Sequence, residues 1–465
     1  MADRKIWDGM NYYGLNHEFD LHWYLTESQR KLQKDLIEVC HDVIRPQAKI
    51  GDETHDYPWK SIEALAELRL LGCIIPEKWG GRGENHVGLA MIAETIGRYG
   101  CPSLGVIYQM HMAGVAALLF RAGGNKAIQD VLMRMDKDVL IGSASYTDPE
   151  TGGHFWYPKI SGAKKVEGGW HVKKTSAFTT SCGHAKWMVT QTTSPEFTGD
   201  YSDLSVFLMF PKEMDPKPGL WDVIGMRATS SGPISFDATI PEDRIVGPPG
   251  DGAASNDEAV NAVGMVMYGA VYNGISMNAL DLAKRHTTQR QHANFGQTVA
   301  DYTTTQDVYG RGVIDTWTSR VNLYSFCQEL DRRTNNGSWT IYEDDPDTRP
   351  RSPMILWGLI VKEKAAKVAS EVTENMFRLF GGSGLSRKLE IERILRDSKA
   401  GWVMAPSNEV ARGMVGRWAL FGSDAVDWWN QQVNEGLLTA ELSKLNAEAK
   451  RSLIAKLNAE LDEES

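Results

Sequence analysis

Five short segments carry residue types that chemistry can use. SASYTDPETGGH (143–154) is a small-residue turn with a Thr-Asp-Pro start and a glycine pair, which allows close approach to the backbone. TSAFTTSCGHAKW (175–187) places an aromatic before a run of hydroxyls and leads into Gly183 and Trp187. GMRATSSGPISFDATIPEDRIVG (225–247) reads as a strand followed by an Ile-Pro turn. RQHANFG (290–296) supplies cations, and FGGSG (380–384) with ERILRDSKAG (392–401) pairs a glycine-rich turn with a charged helix. Taken singly, each is an ordinary turn or helix cap.

Other chemistries lack their residues. No GxGxxG follows a strand and no GxxxxGK[ST] occurs, which argues against a Rossmann dinucleotide site and a P-loop. HExxH and paired-cysteine spacings are missing, and the 11 histidines are scattered, so no metal site is expected. The 50 basic against 60 acidic residues give a net charge of −10 with no basic block, which argues against nucleic acid and anionic membrane as partners. Five cysteines (Cys40, Cys73, Cys101, Cys182, Cys327), odd in number and without CxxC spacing, suit a reducing compartment. The polar start MADRKIWDGMNYYG has no apolar signal core, and no run approaches the ~18 apolar residues that span a bilayer. A cytoplasmic enzyme is the expectation.

The elements that must position these segments fall into three textures within 465 residues. Up to residue 140 the pattern is helical: Thr26 and Gln29 open a capping box, and Leu32, Leu36, Val39 and Val43 repeat at helical spacing until Arg45-Pro46. Amphipathic stretches follow at 58–71, 86–99 and 109–122, with the loop GCIIPEKWGGRG at 72–83. Between 141 and 250 short β-rich pieces predict an antiparallel, barrel-like domain. Long helices return over 251–430, interrupted by a polar insertion at 334–353. An extension, 431–465, lines Leu442, Leu445, Leu453, Leu457 and Leu461 along one helical face, as a docking seam would. The fold class is therefore α+β: helical, then β, then a four-helix bundle.

In this order and at these distances the five segments resemble the acyl-CoA dehydrogenase family of flavoproteins, from about residue 20 to 425. Thr147 to His154 correspond to its T-E-P-G-x-G-S-D run, and Ser176 to Ser181 to its K-x-W-I-T-N segment. Gly225, Arg227, Thr229, Phe236, Asp237 and Pro241 match G-x-R-x-T…F-D-x-x-V-P, while F-G-G-x-G and R-D-x-K are intact at Phe380–Gly384 and Arg396–Lys399. The resemblance implies FAD, extended between the β-domain and the C-terminal helices and reaching a neighbouring subunit, hence a homodimer or homotetramer. It places Phe178 against the flavin and the hydroxyls of Thr147 and Thr180 on the ring. Ala144, Tyr146, Gly152, Gly153, Arg290, His292, Phe295, Gln306, Arg378, Gly381, Gly382, Ser407 and Glu409 are the other implied cofactor contacts.

The resemblance also implies α,β-dehydrogenation of an acyl-CoA, with electrons leaving to an electron-transfer flavoprotein. That reaction needs a base for the α-proton, usually a carboxylate contributing about 10²- to 10⁴-fold. Counting from Arg396 through Lys399 places Ala405 in the usual base position, and counting back ten residues from Gly274 places Gly264 in the alternative one. Both lack a carboxylate. Gly153, Gly264, Met265 and Ala405 then line the acyl site, with AVGMVM (262–267) as an apolar wall. His111, in Tyr108-Gln109-Met110-His111, is the candidate base because its ordinary pKa lies near the working pH. Alternatives are a lyase whose substrate sheds a carboxylate or sulfinate, a flavin monooxygenase or oxidase, and a non-enzymatic scaffold.

Overall fold

Thr26 starts the first helix as its spacing predicts: its side chain accepts from the Gln29 N–H while Gln29 answers to the Thr26 backbone. The computed structural model describes residues 21–149, 161–198, 200, 202–292, 296–334, 350–422, 442–443 and 445–464. Gly152, Gly153, Phe295 and residues 335–349 of the 334–353 insertion lie outside them.

The N-terminal helices are α1 (Glu27–Val39), α2 (Arg45–Thr54), α3 (Trp59–Glu67), α4 (His86–Thr95), α5 (Pro102–Phe120) and α6 (Lys126–Met133). Pro46 does not end the first run. A π-helical turn, Cys40–Ile44, shifts the hydrogen-bond register so that the proline falls in the first turn of α2, where its missing N–H costs nothing. Helix α5 begins at Pro102, seven residues earlier than its pattern suggests, because it is apolar on every face and periodicity cannot mark its start. It is long and apolar enough to cross a membrane, yet 94% of its most apolar window is buried inside the protein.

The β-rich stretch forms one eight-stranded sheet of β1 (Gly142–Ser145), β2 (Gly162–Val166), β3 (Gly169–Ser176), β4 (Trp187–Thr193), β5 (Leu204–Met209), β6 (Met214–Pro216), β7 (Ile234–Ile240) and β8 (Ile245–Val246). The order is β6-β7-β3-β2-β4-β5-β8, with β1 on β4. The sheet is mixed: β1 runs parallel to β4 and β2 touches it in parallel, whereas the remaining pairs are antiparallel. Trp170, Val172, Phe207, Met209 and Phe236 fill its own small core.

The C-terminal part comprises α7 (Gly252–Ser255), α8 (Asn261–Gln289), α9 (Thr303–Arg333), α10 (Ile355–Arg378), α11 (Glu390–Ser398), α12 (Ala400–Val403) and α13 (Asn408–Phe421); a last helix, α14 (Ala447–Glu464), follows. Helix α8 is the central pillar, packed by α10, α4, α9 and α5, and the two helical parts share one continuous apolar core. On α14 the stripe is unevenly covered within the described chain: Leu457 is 49% exposed and Leu453 half-buried.

Arg396 and Asp397 join all three parts. Arg396 clasps Asp52 of α2 through two bonds of 2.8 and 2.6 Å and reaches the Ile224 carbonyl before β7, while Asp397 accepts from the Met226 N–H at 2.6 Å. Burial raises the Asp397 carboxyl to about 6 despite that bond and the neighbouring Arg393.

Candidate functional site

Two separate groups of side chains carry the cofactor contacts that the resemblance implies. The first hangs from the strand ends. Thr147 follows β1, Phe178 and Thr180 follow β3, and β1 and β3 present them at one mouth. Thr147 Oγ1 lies 2.7 Å from Ser176 Oγ and 3.4 Å from the Phe178 carbonyl, and Thr180 Oγ1 lies 3.0 Å from Ser231 Oγ. Phe178 stays 67% exposed, braced edge-on by Trp221 at 6.2 Å. An exposed phenyl beside orientable hydroxyls is a donor set that fits a flavin: an apolar wall for the ring and hydrogen bonds for its polar edge. Ala144 is buried within β1 and Tyr146 is packed behind the mouth.

A second group gathers at the far ends of α8 and α10. His286 stacks on Phe380 at 4.2 Å and so ties these ends together. Around them Arg290, His292, Gln306, Arg378, Gly381 and Gly382 are exposed. His292 Nδ1 meets Tyr302 Oη at 2.9 Å, Gln306 donates to the Ala300 carbonyl at 3.1 Å, and Arg378 pairs with Glu374 at 2.8 Å. Gly381 takes φ +56°, a conformation that favours glycine, and an added Cβ at Gly381 or Gly382 would meet no atom within 4 Å. The cradle is open to an elongated ligand.

The residues expected on the acyl side lie on α8 and on the turn after α12. Gly264 faces open space, with no atom within 4 Å of an added Cβ, and Met265 beside it is buried. Ala405 sits in the turn between α12 and α13, a half-buried position. Four contacts pin that turn. Tyr268 Oη donates to the Ala405 carbonyl at 2.8 Å, and Tyr272 Oη meets Met404 Sδ at 3.4 Å. Lys362 Nζ, fully buried on α10, donates to the Gly401 carbonyl at 2.9 Å and to Asn408 Oδ1 at 2.8 Å. Ser407 caps α13 by accepting from the Val410 N–H, whereas Glu409 is exposed and paired with Arg412 at 2.8 Å. Glu409 is therefore not turned into the Ala405 position.

His111 does not face the site. It is fully buried; Nε2 meets the Leu71 carbonyl at 2.8 Å and Nδ1 accepts from the Gly142 N–H at 2.9 Å. Burial, outweighing both bonds, holds its pKa down to about 4. A neutral imidazole with both nitrogens engaged ties α5 to the sheet and has no lone pair to offer a substrate, which corrects the expectation of a base there.

The spacing of segments did not single out Gln109, Tyr268, Tyr272 or Lys362. Signals existed: Tyr268 and Tyr272 follow Gly264 by one and two helical turns, and Lys362 interrupts the stripe Leu359, Ala365, Ala366 and Ala369 that α10 buries. Burial lowers the Lys362 ammonium to about 7, with Glu409 and Glu363 opposing. Burial raises the Tyr268 phenol, and the nearby Gln109 side chain pulls the other way. A phenol so shifted is a donor at neutral pH. The two positions at which the resemblance places a base hold Gly264 and Ala405, neither of them a carboxylate. No cluster of three or more metal-ligating side chains occurs among the described residues.

The comparisons agree with this architecture. Cyclohex-1-ene-1-carbonyl-CoA dehydrogenase of Syntrophus aciditrophicus is 25% identical over 86% of this chain and 91% of its own. The 3-sulfinopropanoyl-CoA desulfinase of Paraburkholderia xenovorans is 23% identical over 84% and 95%. A glutaryl-coenzyme A dehydrogenase solved with glutaryl-CoA superposes with a TM-score of 0.75, at 21% identity, over 86% of this chain and 97% of that one. The acyl-CoA dehydrogenase N-terminal domain model matches residues 26–137 and the C-terminal domain model residues 262–420. Together these spans exceed half the chain, which thus belongs to the acyl-CoA dehydrogenase family of FAD-dependent flavoenzymes.

Proposed function

We propose that this protein oxidises an acyl-CoA ester across its α,β-bond, on a substrate activated enough to release its α-proton without a protein carboxylate. The observation that carries the reading is the pinned turn at Ala405, held as a catalytic turn is held yet bearing no acid, beside an equally bare Gly264. Bound FAD supplies the hydride acceptor. Phe178 would wall its ring, Thr147 and Thr180 would bond its polar edge, and the Arg290 and Gly381 groups would hold the remainder, in part from a second copy of the chain.

The thioester would lie against the turn, its carbonyl receiving a backbone N–H that Tyr268 and Lys362 keep in place. Space at Gly264 admits water as the proton's destination. An acyl group whose α-proton is acidified by conjugation or a neighbouring electron-withdrawing group loses less of the 10²- to 10⁴-fold that a carboxylate supplies, on the order of 3–5 kcal/mol. The physiological partners in this reading are the CoA ester and an electron-transfer flavoprotein, with a homodimer or homotetramer as the working form in the cytoplasm.

A second reading has one specific observation in its favour. With His111 sealed, no α-base is evident among the described residues, and a substrate that sheds its own carboxylate or sulfinate needs none; a desulfinase is among the relatives. Anaerobic titration of the purified yellow protein with a panel of CoA esters separates the two. Bleaching of the flavin supports dehydrogenation. Release of carbon dioxide or sulfite, with the flavin left oxidised and no acceptor added, replaces it with elimination.

A further inference from the structure

We infer that Tyr268 sets the acyl class, closing the site beyond the thioester so that it takes short, compact acyl groups, branched or alicyclic, and refuses extended chains. This rests on the reading that a CoA ester lies against the Ala405 turn. Tyr268 stands between both bare positions: it follows Gly264 by four residues, hence on the same helical face, and its hydroxyl bonds the Ala405 carbonyl at 2.8 Å. An acyl carbon placed beside Ala405 and Gly264 meets this ring next.

The ring is not free to swing aside. Tyr272 stacks on it at 6.2 Å with planes 19° apart, and Lys362 Nζ lies 5.4 Å from its centroid. Gln109 of α5 lies close enough to its hydroxyl to act on it electrostatically, and the side chain as a whole is only 5% exposed. Lys362 is itself tied down at two acceptors, so the brace behind the ring is rigid. The open volume lies beside Gly264, where an added Cβ meets nothing within 4 Å. Lateral room with a fixed end wall favours breadth over length. Because the phenol is a donor already spent on a backbone carbonyl, it acts as a wall and a positioning group, and the acyl group it faces needs no acidic or basic substituent.

The test uses the holoenzyme with butyryl-, isobutyryl-, cyclohexanecarbonyl-, octanoyl- and palmitoyl-CoA. Two readouts are taken: protection against thermal unfolding, which reports binding alone, and anaerobic flavin bleaching. The compact esters should outperform octanoyl-CoA by about tenfold or more, and Tyr268→Val should erase or reverse that preference, the scale expected when a pocket wall recedes. Tyr268→Phe should keep the preference and raise KM, since it keeps the ring and loses the hold on Ala405. Should Tyr268→Val not fold, Gln109→Ala loosens the brace and should relax the preference in the same direction. Equal protection by octanoyl- or palmitoyl-CoA in the wild type overturns the inference, as does unchanged selectivity in Tyr268→Val or, where that variant does not fold, in Gln109→Ala. Selective protection without bleaching leaves the inference standing and ends the redox reading; bleaching by every length does the reverse. No protection by any ester ends both.

Discussion

His111 shows how a chemically apt residue becomes a structural one. Its two hydrogen bonds satisfy a buried carbonyl and a buried N–H, so His111→Ala should leave both unpaired at about 1–3 kcal/mol each. The melting temperature should fall by several degrees, while the pH profile of kcat/KM keeps its shape; a lost limb would reinstate the residue as a base. Its folded pKa lies below 6.5, so the unfolded chain takes the proton first, and stability declines as pH drops from 6.5 towards about 4. Lys362 works in the opposite window. Its folded pKa of about 7 against an ordinary 10.5 means that the buried charge costs stability below pH 7, and that stability rises as pH climbs from 7 to 10.5. Urea midpoints over that range should climb in the wild type and lose this component in Lys362→Met. The residue types gathered at the mouth of β1 and β3 were legible because hydroxyls beside an aromatic are read along the chain. His111 was misread because α5 is apolar all round, so no stripe tells which of its faces meets the site.

Among elements, α8 carries most of the information. At Gly274 an added Cβ would come within 2.5 Å of the Glu94 carbonyl and 2.9 Å of both the Arg98 nitrogen and Gly97 Cα. There α8 crosses the π-helical turn Ile96–Gly100 backbone to backbone. Gly274→Ala should therefore cost about 1–3 kcal/mol or more, seen as a lowered denaturation midpoint, because neither backbone can recede. Ten residues earlier the same helix tolerates the reverse change. Gly264→Glu meets open space, gains about 0.5–1 kcal/mol in helix propensity, and sets a carboxylate where the proposed function puts the thioester. Oxidation of unactivated esters such as butyryl-CoA should appear or quicken; an unchanged rate would mean that more than the base has been lost. Helix existence was readable from periodicity, but the π-helical turns were not, since one inserted residue leaves the apolar pattern nearly intact while moving the register.

At the scale of the whole molecule, ion pairs bolt the two helical parts together: the buried Arg98–Asp281 at 2.7 Å and Arg320–Glu94 at 2.7 Å, and the half-buried Arg45–Glu390 at 2.5 Å. Arg396 adds the sheet to that assembly through the Ile224 carbonyl. Its removal strands Asp52, whose carboxyl Arg396 holds below its usual range against burial, at a cost of about 3 kcal/mol. Arg396→Ala should split one unfolding transition into two in calorimetry; a single, merely shifted peak would show that the shared apolar core suffices. The R-D pair was legible as a motif, but its role as a three-way joint was not, because its partners lie hundreds of residues away in the chain.

All five thiols are buried, and burial pushes each of them up, Cys101 to about 11. Soft electrophiles and peroxide thus find no ready thiolate on the folded surface. Alkylation kinetics consequently become a stopwatch for breathing: Cys73 and Cys327 would report loosening of the helical body, and Cys182 loosening of the sheet, from one unlabelled sample and without altering a single residue.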